Sequence, residues 1–322
     1  MRSLNHFVHR FAFALALTAL FSLTASAQVM LRRAVDFDGD GKTDFAVFRP
    51  STNIWYINKS AGGVTFQGFG LSNEDFMTPG DYDGDGKADI SVWRDSSGIW
   101  FRLNSNGNTF SAFQWGQTGD EPVARDYDGD GKTDVAVARR SNGGLIWYVY
   151  QSSNNQIRAG QFGLATDYTA PGDYDGDGKF DWAVQRPGAT AASQATFFVQ
   201  KSTDNSLMVM GWGLSNDLVV PGDYDGDGKT DFAVVREGTL AAPSLTWYIL
   251  RSSDNGIRAY GFGLTSTDLL CQGDYDGDGK TDIGVWRDSN GTFYAYTSVG
   301  GNLITNQWGA SNDFPIASFD TH

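Results

Sequence analysis

Short apolar runs separated by turn residues recur along almost the whole chain. FAVFR (45–49) is followed by a turn and IWYIN (54–58), ISVWR (90–94) by IWFRL (99–103), and FAVVR (232–236) by TWYIL (246–250). A third run in each unit closes on an aromatic-glycine pair. A fourth leads onward through FMTPGD, YTAPGD or LVVPGD. Runs of this length bounded by Gly, Asn, Asp and Pro predict strands, and no stretch sustains a helical period. Consecutive apolar positions in IWYIN and its equivalents predict a strand covered on both faces, as in sheets packed on neighbouring sheets. Pro79, Pro171 and Pro221 fall in the fourth run, and proline within a sheet belongs on an edge strand. The strand nearest the central channel of a radial array is such an edge. The prediction is an all-β fold, a β-propeller of six blades with four antiparallel strands each.

The polar segments between these runs are one motif written six times. DFDGDGKTD, DYDGDGKAD, DYDGDGKTD, DYDGDGKFD, DYDGDGKTD and DYDGDGKTD begin at Asp36, Asp81, Asp126, Asp173, Asp223 and Asp274, at spacings of 45, 45, 47, 50 and 51 residues. Periods of this size mark propellers or solenoids. An arginine stands thirteen residues after each first aspartate: Arg49, Arg94, Arg139, Arg186, Arg236 and Arg287. Then comes an aromatic, Trp55, Trp100, Trp147, Phe197, Trp247 or Phe293, and the unit closes on Phe69-Gly70, Trp115-Gly116, Phe162-Gly163, Trp212-Gly213, Phe262-Gly263 or Trp308-Gly309.

This alternation of an aromatic-glycine pair with D-x-D-G-D-G-x-x-D resembles the FG-GAP, or VCBS-type, repeat of integrin α-subunit-like β-propellers. The resemblance runs from Val29 to the C-terminus, with Pro-Gly-Asp or a variant in place of the literal Gly-Ala-Pro. It implies that the strand before each acidic loop is innermost, in agreement with the prolines, and that the loops hold calcium.

Calcium takes six to eight oxygen ligands, and carboxylates at alternating positions of a glycine-bent loop can wrap one ion. The expected side-chain ligands are Asp36, Asp38, Asp40 and Asp44; Asp81, Asp83, Asp85 and Asp89; Asp126, Asp128, Asp130 and Asp134; Asp173, Asp175, Asp177 and Asp181; Asp223, Asp225, Asp227 and Asp231; and Asp274, Asp276, Asp278 and Asp282. Lys42, Lys87, Lys132, Lys179, Lys229 and Lys280 would add a backbone carbonyl each, giving about six Ca2+ sites. An EF-hand would place a glutamate at the twelfth position between helices, whereas that position is Val47 in the first loop and valine in the other five. Nine-residue calcium solenoids fail on period. Magnesium, which keeps several waters, is disfavoured. The bland alternative for a single Asp-Gly loop is an Asx turn. The lysine side chain reads as a solvated counter-charge, with phosphate binding as its alternative.

A second acidic set, Asp75, Asp120, Asp167, Asp217, Asp268 and Asp313, is placed to pair with the six arginines, a structural role. The recurrent aromatics read as blade core, with sugar stacking as the sharper alternative. Gaps from the arginine to the next aromatic are 6, 6, 8, 11, 11 and 6 residues. Units three to five therefore carry insertions, including Pro187 to Thr196 and Glu237 to Thr246, on the side opposite the acidic loops. They are expected to form a raised patch that binds a partner, the alternative being tolerated insertion. The sequence leaves closure open, because Val29 to Val35 and the C-terminal FPIASFD are both placed to supply an inner strand.

The 322 residues carry 38 acidic and 24 basic side chains, a net charge of −14, with 40% hydrophobic residues. So apolar a composition excludes a disordered acidic tail, and the charge argues against nucleic acid. Arg2 and Arg10, the apolar run Phe11 to Leu23, and Ala25-Ser26-Ala27 predict a secretory leader over 1–27, with the propeller over 28–322. The run is shorter than the roughly 20 residues of a membrane span. Cleavage near Ala27 would leave 22 basic against 38 acidic residues, or −16, and release the chain to an extracellular or periplasmic space. Six bound Ca2+ would bring that to about −4. Cys271 reads as a buried apolar residue, and histidine occurs only at 6, 9 and 322, so no enzyme is expected. The first functional expectation is an extracellular adhesion or protein-interaction scaffold. The alternative is a carbohydrate-binding, lectin-like propeller, and a calcium-dependent enzyme acting on polysaccharide stands a distant third. The partner, a protein or a glycan, is unnamed by the sequence, and oligomeric state is left open.

Overall fold

The computed structural model describes residues 34–239 and 241–316, so the expected leader at 1–27 lies outside the described residues. Six four-stranded antiparallel sheets form a ring, each sheet one blade of the expected propeller. In blade 2 the strands run outward in chain order, Asp75–Met77, Ile90–Arg94, Ile99–Leu103 and Phe110–Gln114. Blades 3 to 6 repeat this order, with second strands starting at Val135, Trp182, Phe232 and Ile283, and blade 1 differs only in its innermost strand, its second strand starting at Phe45. In blades 2 to 6 the acidic loop joins the innermost strand to the second strand, as the prolines require.

The second strands are buried on both faces, as Ile90, Ser91, Val92 and Trp93 show. The third strands alternate instead. In Ile54–Asn58, Trp55 and Ile57 are fully buried, while Tyr56 is half-buried and capped by the guanidinium of Arg49 at 4.2 Å. Both faces are thus covered, one by core and one by a cation lying on a ring. Trp55, Trp100, Trp147, Phe197, Trp247 and Phe293 are at most 1% exposed, which makes them blade core and leaves no ring face for a sugar. Cys271 is likewise buried.

Closure uses both chain ends. The C-terminal strand Phe314–Pro315 occupies the inner position of blade 1, pairing with Phe48 and Val47, and Ile316 N donates to Ala46 O at 2.8 Å. The inner line then passes to the other end of the chain, where Val35 O accepts Asp44 N at 2.8 Å, the place that Gly80 O fills for Asp89 N in blade 2. Neither end displaces the other. Of the expected N-terminal inner segment, 29–33 lies outside the described residues. Blades 2 to 6 each have a loop tyrosine whose hydroxyl donates to the carbonyl four residues earlier, as Tyr82 does to Thr78 O at 2.8 Å and Tyr275 to Cys271 O at 2.6 Å. Blade 1, whose inner strand comes from the far end of the chain, has Phe37 there instead.

The insertions lengthen hairpins. In blade 3 the second and third strands extend to Ser141 and back to Gly144 around Asn142-Gly143, both at positive φ (50° and 78°), the backbone that a two-residue hairpin turn needs. In blades 4 and 5 the third strands also start early, at Gln194 and Ser244, and each bulges against its outer strand. Gly188 N bonds Ser215 Oγ and Gly238 N bonds Thr265 Oγ1. Those partners sit in the turns leading to the next inner strand, so the insertions lie on the side away from the acidic loops.

Candidate metal centre

Each acidic loop folds around its first aspartate. In the first loop Gly39 N and Gly41 N donate to the two carboxylate oxygens of Asp36 at 2.6 and 2.9 Å. Gly39 and Gly41 both stand at positive φ (81° and 88°), which turns their N–H groups inward, and glycine adopts that backbone without steric cost. The ninth residue, Asp44, accepts Phe37 N at 2.8 Å and, from the turn between third and outer strands, Ser60 N at 2.7 Å. Ser60 Oγ then donates to Asp40 at 2.8 Å. The same serine recurs in every blade: Ser105, Ser152, Ser202, Ser252 and Ser298 donate backbone N–H to Asp89, Asp134, Asp181, Asp231 and Asp282, at 2.6 to 2.7 Å. Their hydroxyls reach Asp85, Asp130, Asp177, Asp227 and Asp278. Sequence reading missed this serine. Its distance from the loop changes with the insertions, but it always stands five residues after the core aromatic.

The carboxylates are thereby gathered. One oxygen from each of Asp36, Asp38 and Asp40 lies within 4.8 Å of the others; so it is for Asp81, Asp83 and Asp85, for Asp126, Asp128 and Asp134, for Asp173, Asp175 and Asp181, and for Asp223, Asp225 and Asp231. In the sixth loop Asp274 and Asp282 make the same backbone contacts as their equivalents. Burial pushes Asp44, Asp134, Asp173, Asp181, Asp231 and Asp282 up to about 7, and Asp89, Asp126 and Asp223 up to about 6. Asp36 and Asp81 are raised for the same reason. Backbone N–H groups pull each of them back down, and neighbouring carboxylates add repulsion. An all-oxygen set, rich in carboxylates and desolvated to this degree, fits a hard divalent cation, whose charge would offset what burial costs. These groups can hold a metal ion.

The loops are also tied to one another. Thr43 N, Ala88 N, Thr133 N, Phe180 N, Thr230 N and Thr281 N each donate to the carbonyl of the first aspartate in the preceding loop, at 2.6 to 2.9 Å. The circle closes where Thr43 meets Asp274. The six lysines are more than solvated counter-charges. Each lays its stem across the first glycine of the preceding loop, where an added Cβ would come within 2.7 to 3.1 Å of a lysine carbon, as for Lys87 on Gly39 and Lys42 on Gly277.

On the opposite side the second aspartate set does pair with the six arginines. Arg49, Arg94, Arg139, Arg186, Arg236 and Arg287 bond Asp313, Asp75, Asp120, Asp167, Asp217 and Asp268 through Nε and Nη2 at 2.7 to 3.0 Å. These parallel bonds raise each guanidinium further above its ordinary range, although partial burial opposes them.

Residues 36–92 and 126–184 match the FG-GAP-like repeat family. No curated protein matches the chain by sequence. Among solved structures, TolB from Acinetobacter baumannii is similar over 86% of this chain and 66% of its own (TM-score 0.53, 12% identity). An Agrocybe aegerita lectin, described for specific recognition of non-reducing terminal N-acetylglucosamine, is similar over 85% and 91% (TM-score 0.52, 16% identity). A triple arginine-to-alanine mutant of AofleA from Arthrobotrys oligospora is similar over 90% of each chain (TM-score 0.50, 9% identity). At such identities the likeness is one of fold. The family match in two separate stretches and the six blades built on the same motif together support an FG-GAP-repeat β-propeller.

Proposed function

We propose that the chain is a secreted calcium-binding propeller that serves as an extracellular adhesion or protein-interaction scaffold. The observation that carries the metal reading is the set of loop carboxylates raised to about 6 or 7 by burial, gathered within ligand distance and held by N–H and O–H donors. The twenty-four loop aspartates and six lysine carbonyls of the sequence supply about six sites. Dialysis of the pure protein against calcium, followed by metal analysis, is expected to give about six ions per chain. Less than one ion per chain would overturn the metal reading. Sequencing the N-terminus of the exported product tests cleavage near Ala27.

A binding role is supported by what the chain offers and what it withholds. Histidine, the commonest general acid-base, stands only at 6, 9 and 322. Burial raises the Cys271 thiol to about 12, far from a nucleophile's range. The proposed partner surface is the side opposite the acidic loops, where the hairpins of blades 3 to 5 stand beyond the others. There the mouth of the channel holds a hollow of about 670 Å³ whose lining includes Pro50, Glu237, Leu269, Asp288 and Phe314. Removing 188–193 and 238–243 together is expected to abolish capture of the partner while calcium content and melting temperature stay unchanged. The glycan reading is favoured by a separate feature, a cavity between blades 5 and 6.

A further inference from the structure

In three of the gaps between adjacent blades the first residue of the second strand is an aromatic plug beside the acidic loop, and in one of them Trp182 stacks on Trp147 at 5.9 Å. Phe232 of blade 5 stacks on Tyr174 of blade 4 with ring centroids 4.8 Å apart and meets the edge of Phe197. Phe45 of blade 1 does the same to Tyr275 and Phe293 of blade 6, at 5.1 and 5.3 Å. Between blades 5 and 6 the plug position is Ile283. The loop tyrosine there, Tyr224, is left half-buried where Tyr174 and Tyr275 are buried. A cavity of about 290 Å³ opens beside it.

Three cations face this cavity: Arg251, Arg258 and Lys280. Arg251 spends one nitrogen on Asp254, Nη2 to Oδ2 at 2.6 Å, while its Nε is buried without a hydrogen-bond partner. Arg258 is exposed on the outer strand opposite Ile249. Its counterpart between blades 3 and 4, Arg158, rests on Trp182 at 4.4 Å, a ring for which Ile283 is the equivalent here. Against these charges the lining has one carboxylate, Asp225, which already accepts Ser253 Oγ at 2.5 Å. The walls are two half-buried tyrosines from facing blades, Tyr260 and Tyr296, with ring centroids 6.0 Å apart and planes inclined at 50°.

We propose that this inter-blade cavity binds an anionic sugar unit, a uronate or a sulfated hexose of an acidic polysaccharide, with Arg251 and Arg258 on the acid group and Tyr260 and Tyr296 along the ring. A volume near the lower end of small-ligand pockets, roughly 300 Å³, suits one sugar unit. Guanidinium groups favour planar or tetrahedral oxyanions through parallel N–H donors. Tyrosine offers both an apolar face and a hydroxyl, which suits a ring with one apolar face and a polar rim. The proposal rests on reading the chain as a binding protein, and because the cavity shares Asp225 and Lys280 with two of the acidic loops it is tested on the calcium-loaded chain.

The test is calorimetric titration of the calcium-saturated full chain with glucuronate and galactose 6-sulfate, beside glucose and inorganic sulfate. Both anionic sugars are expected to bind, and glucose and inorganic sulfate each at least tenfold more weakly. Arg258→Gln is expected to weaken the anionic sugars at least tenfold, and Ile283→Phe, which restores the plug of the neighbouring gaps, to abolish binding. Should Ile283→Phe fail to fold, Arg258→Gln decides alone, since its side chain is exposed. Absence of binding by either anionic sugar, equal binding of glucose or free sulfate, or indifference to Arg258→Gln would overturn the proposal. A chain that loads calcium yet ignores these sugars breaks the pocket and leaves the metal reading standing.

Discussion

The two sides of the ring each carry a six-fold set of buried aspartates, and they neutralise them differently. On one side Asp75, Asp120, Asp167, Asp217, Asp268 and Asp313 are nearly inaccessible, and each takes a forked pair of bonds from an arginine of its own blade. A backbone N–H completes the site, as Leu71 N does for Asp75 at 2.8 Å. Each arginine lies in turn on the half-buried ring of the third strand, 4.2 to 4.9 Å away. On the other side the loop aspartates have N–H and O–H donors and one another, and burial drives their protonation upward. The chain thus supplies its own cation where the requirement is rigidity. Where it supplies none of comparable geometry, it gathers carboxylates that could hold one from solution.

The largest way to break this comparison is to withhold the cation. A site held at a hundredfold excess over its Kd contributes about 2.7 kcal/mol. At roughly 2–4 °C per kcal/mol for a domain of this size, several sites together should lower the melting temperature by more than 10 °C in EDTA. An unchanged melting curve would remove any structural role for the ions. The pH dependence adds a sign. Asp44, Asp134 and their equivalents titrate near 7 in the folded chain against 3.8 ordinarily, so between those values the folded state holds more protons than the unfolded. The metal-free protein should therefore lose stability as pH rises from about 4 to 7. Calcium requires the deprotonated form, so the stabilisation it adds should grow over the same interval. Melting scans at pH 5 and 7.5, with and without calcium, read both trends.

Next in size is the arginine side. Arg139→Met leaves the Asp120 carboxylate, 1% exposed, without its cation. The expected cost is about 3 kcal/mol, the low end for a broken buried pair because the guanidinium keeps an exposed edge. Urea denaturation should show this loss equally with and without calcium, whereas a loss confined to the calcium-free chain would mean that the two sides are not separate. Adding Asp120→Asn should recover part of it.

Much of this division was legible in the sequence, and the exceptions share a cause. The loops, the second strands, the arginines and their aspartate partners keep one offset from the first aspartate of their own unit or its neighbour, and a fixed period exposes such offsets, while the core aromatics shift with the hairpin insertions but stand out by residue type. The serine that bridges Asp44 to Asp40 does neither. It stands 16 residues after the ninth position in blades 1, 2 and 6 but 18 or 21 in the others, because the hairpin between them varies in length. Packing of the Lys87 stem on Gly39 is a contact between units, and a repeat read one unit at a time does not show it. Closure depends on Ile316 and Val35, at opposite ends of the chain, sharing one inner line through Ala46 and Asp44, which only the folded ring brings together.

A single loop gives a smaller effect. Asp231→Asn removes one charge from a site whose carboxylate also receives Tyr224 N and Ser252 N, both of which the amide oxygen can accept in part. Calcium content should fall by about one ion of the six, with a stability loss near the ~2.7 kcal/mol of one saturated site, seen only in calcium. If all the ions leave together, the loops act as one cooperative unit. The hydrogen bonds from each loop to the first aspartate of the preceding one give that outcome a route.

The finest test separates the lysine stems from the turn they cross. Gly84 and Gly86 both stand in the second loop at positive φ, 82° and 87°, so alanine at either incurs the same backbone strain of about 1–2 kcal/mol. They differ in their surroundings. A Cβ on Gly84 would sit 2.7 Å from Lys132 Cε of the next loop, while one on Gly86 meets nothing within 4 Å. Gly84→Ala should therefore cost more than Gly86→Ala by up to about 1 kcal/mol, since the obstacle is a flexible side chain that can move away rather than backbone. Lys132→Ala in the same chain should erase that difference and leave the shared strain untouched. If the two glycine variants melt at the same temperature in calcium, the lysines are solvated charges after all, and the loops are joined through their backbone alone.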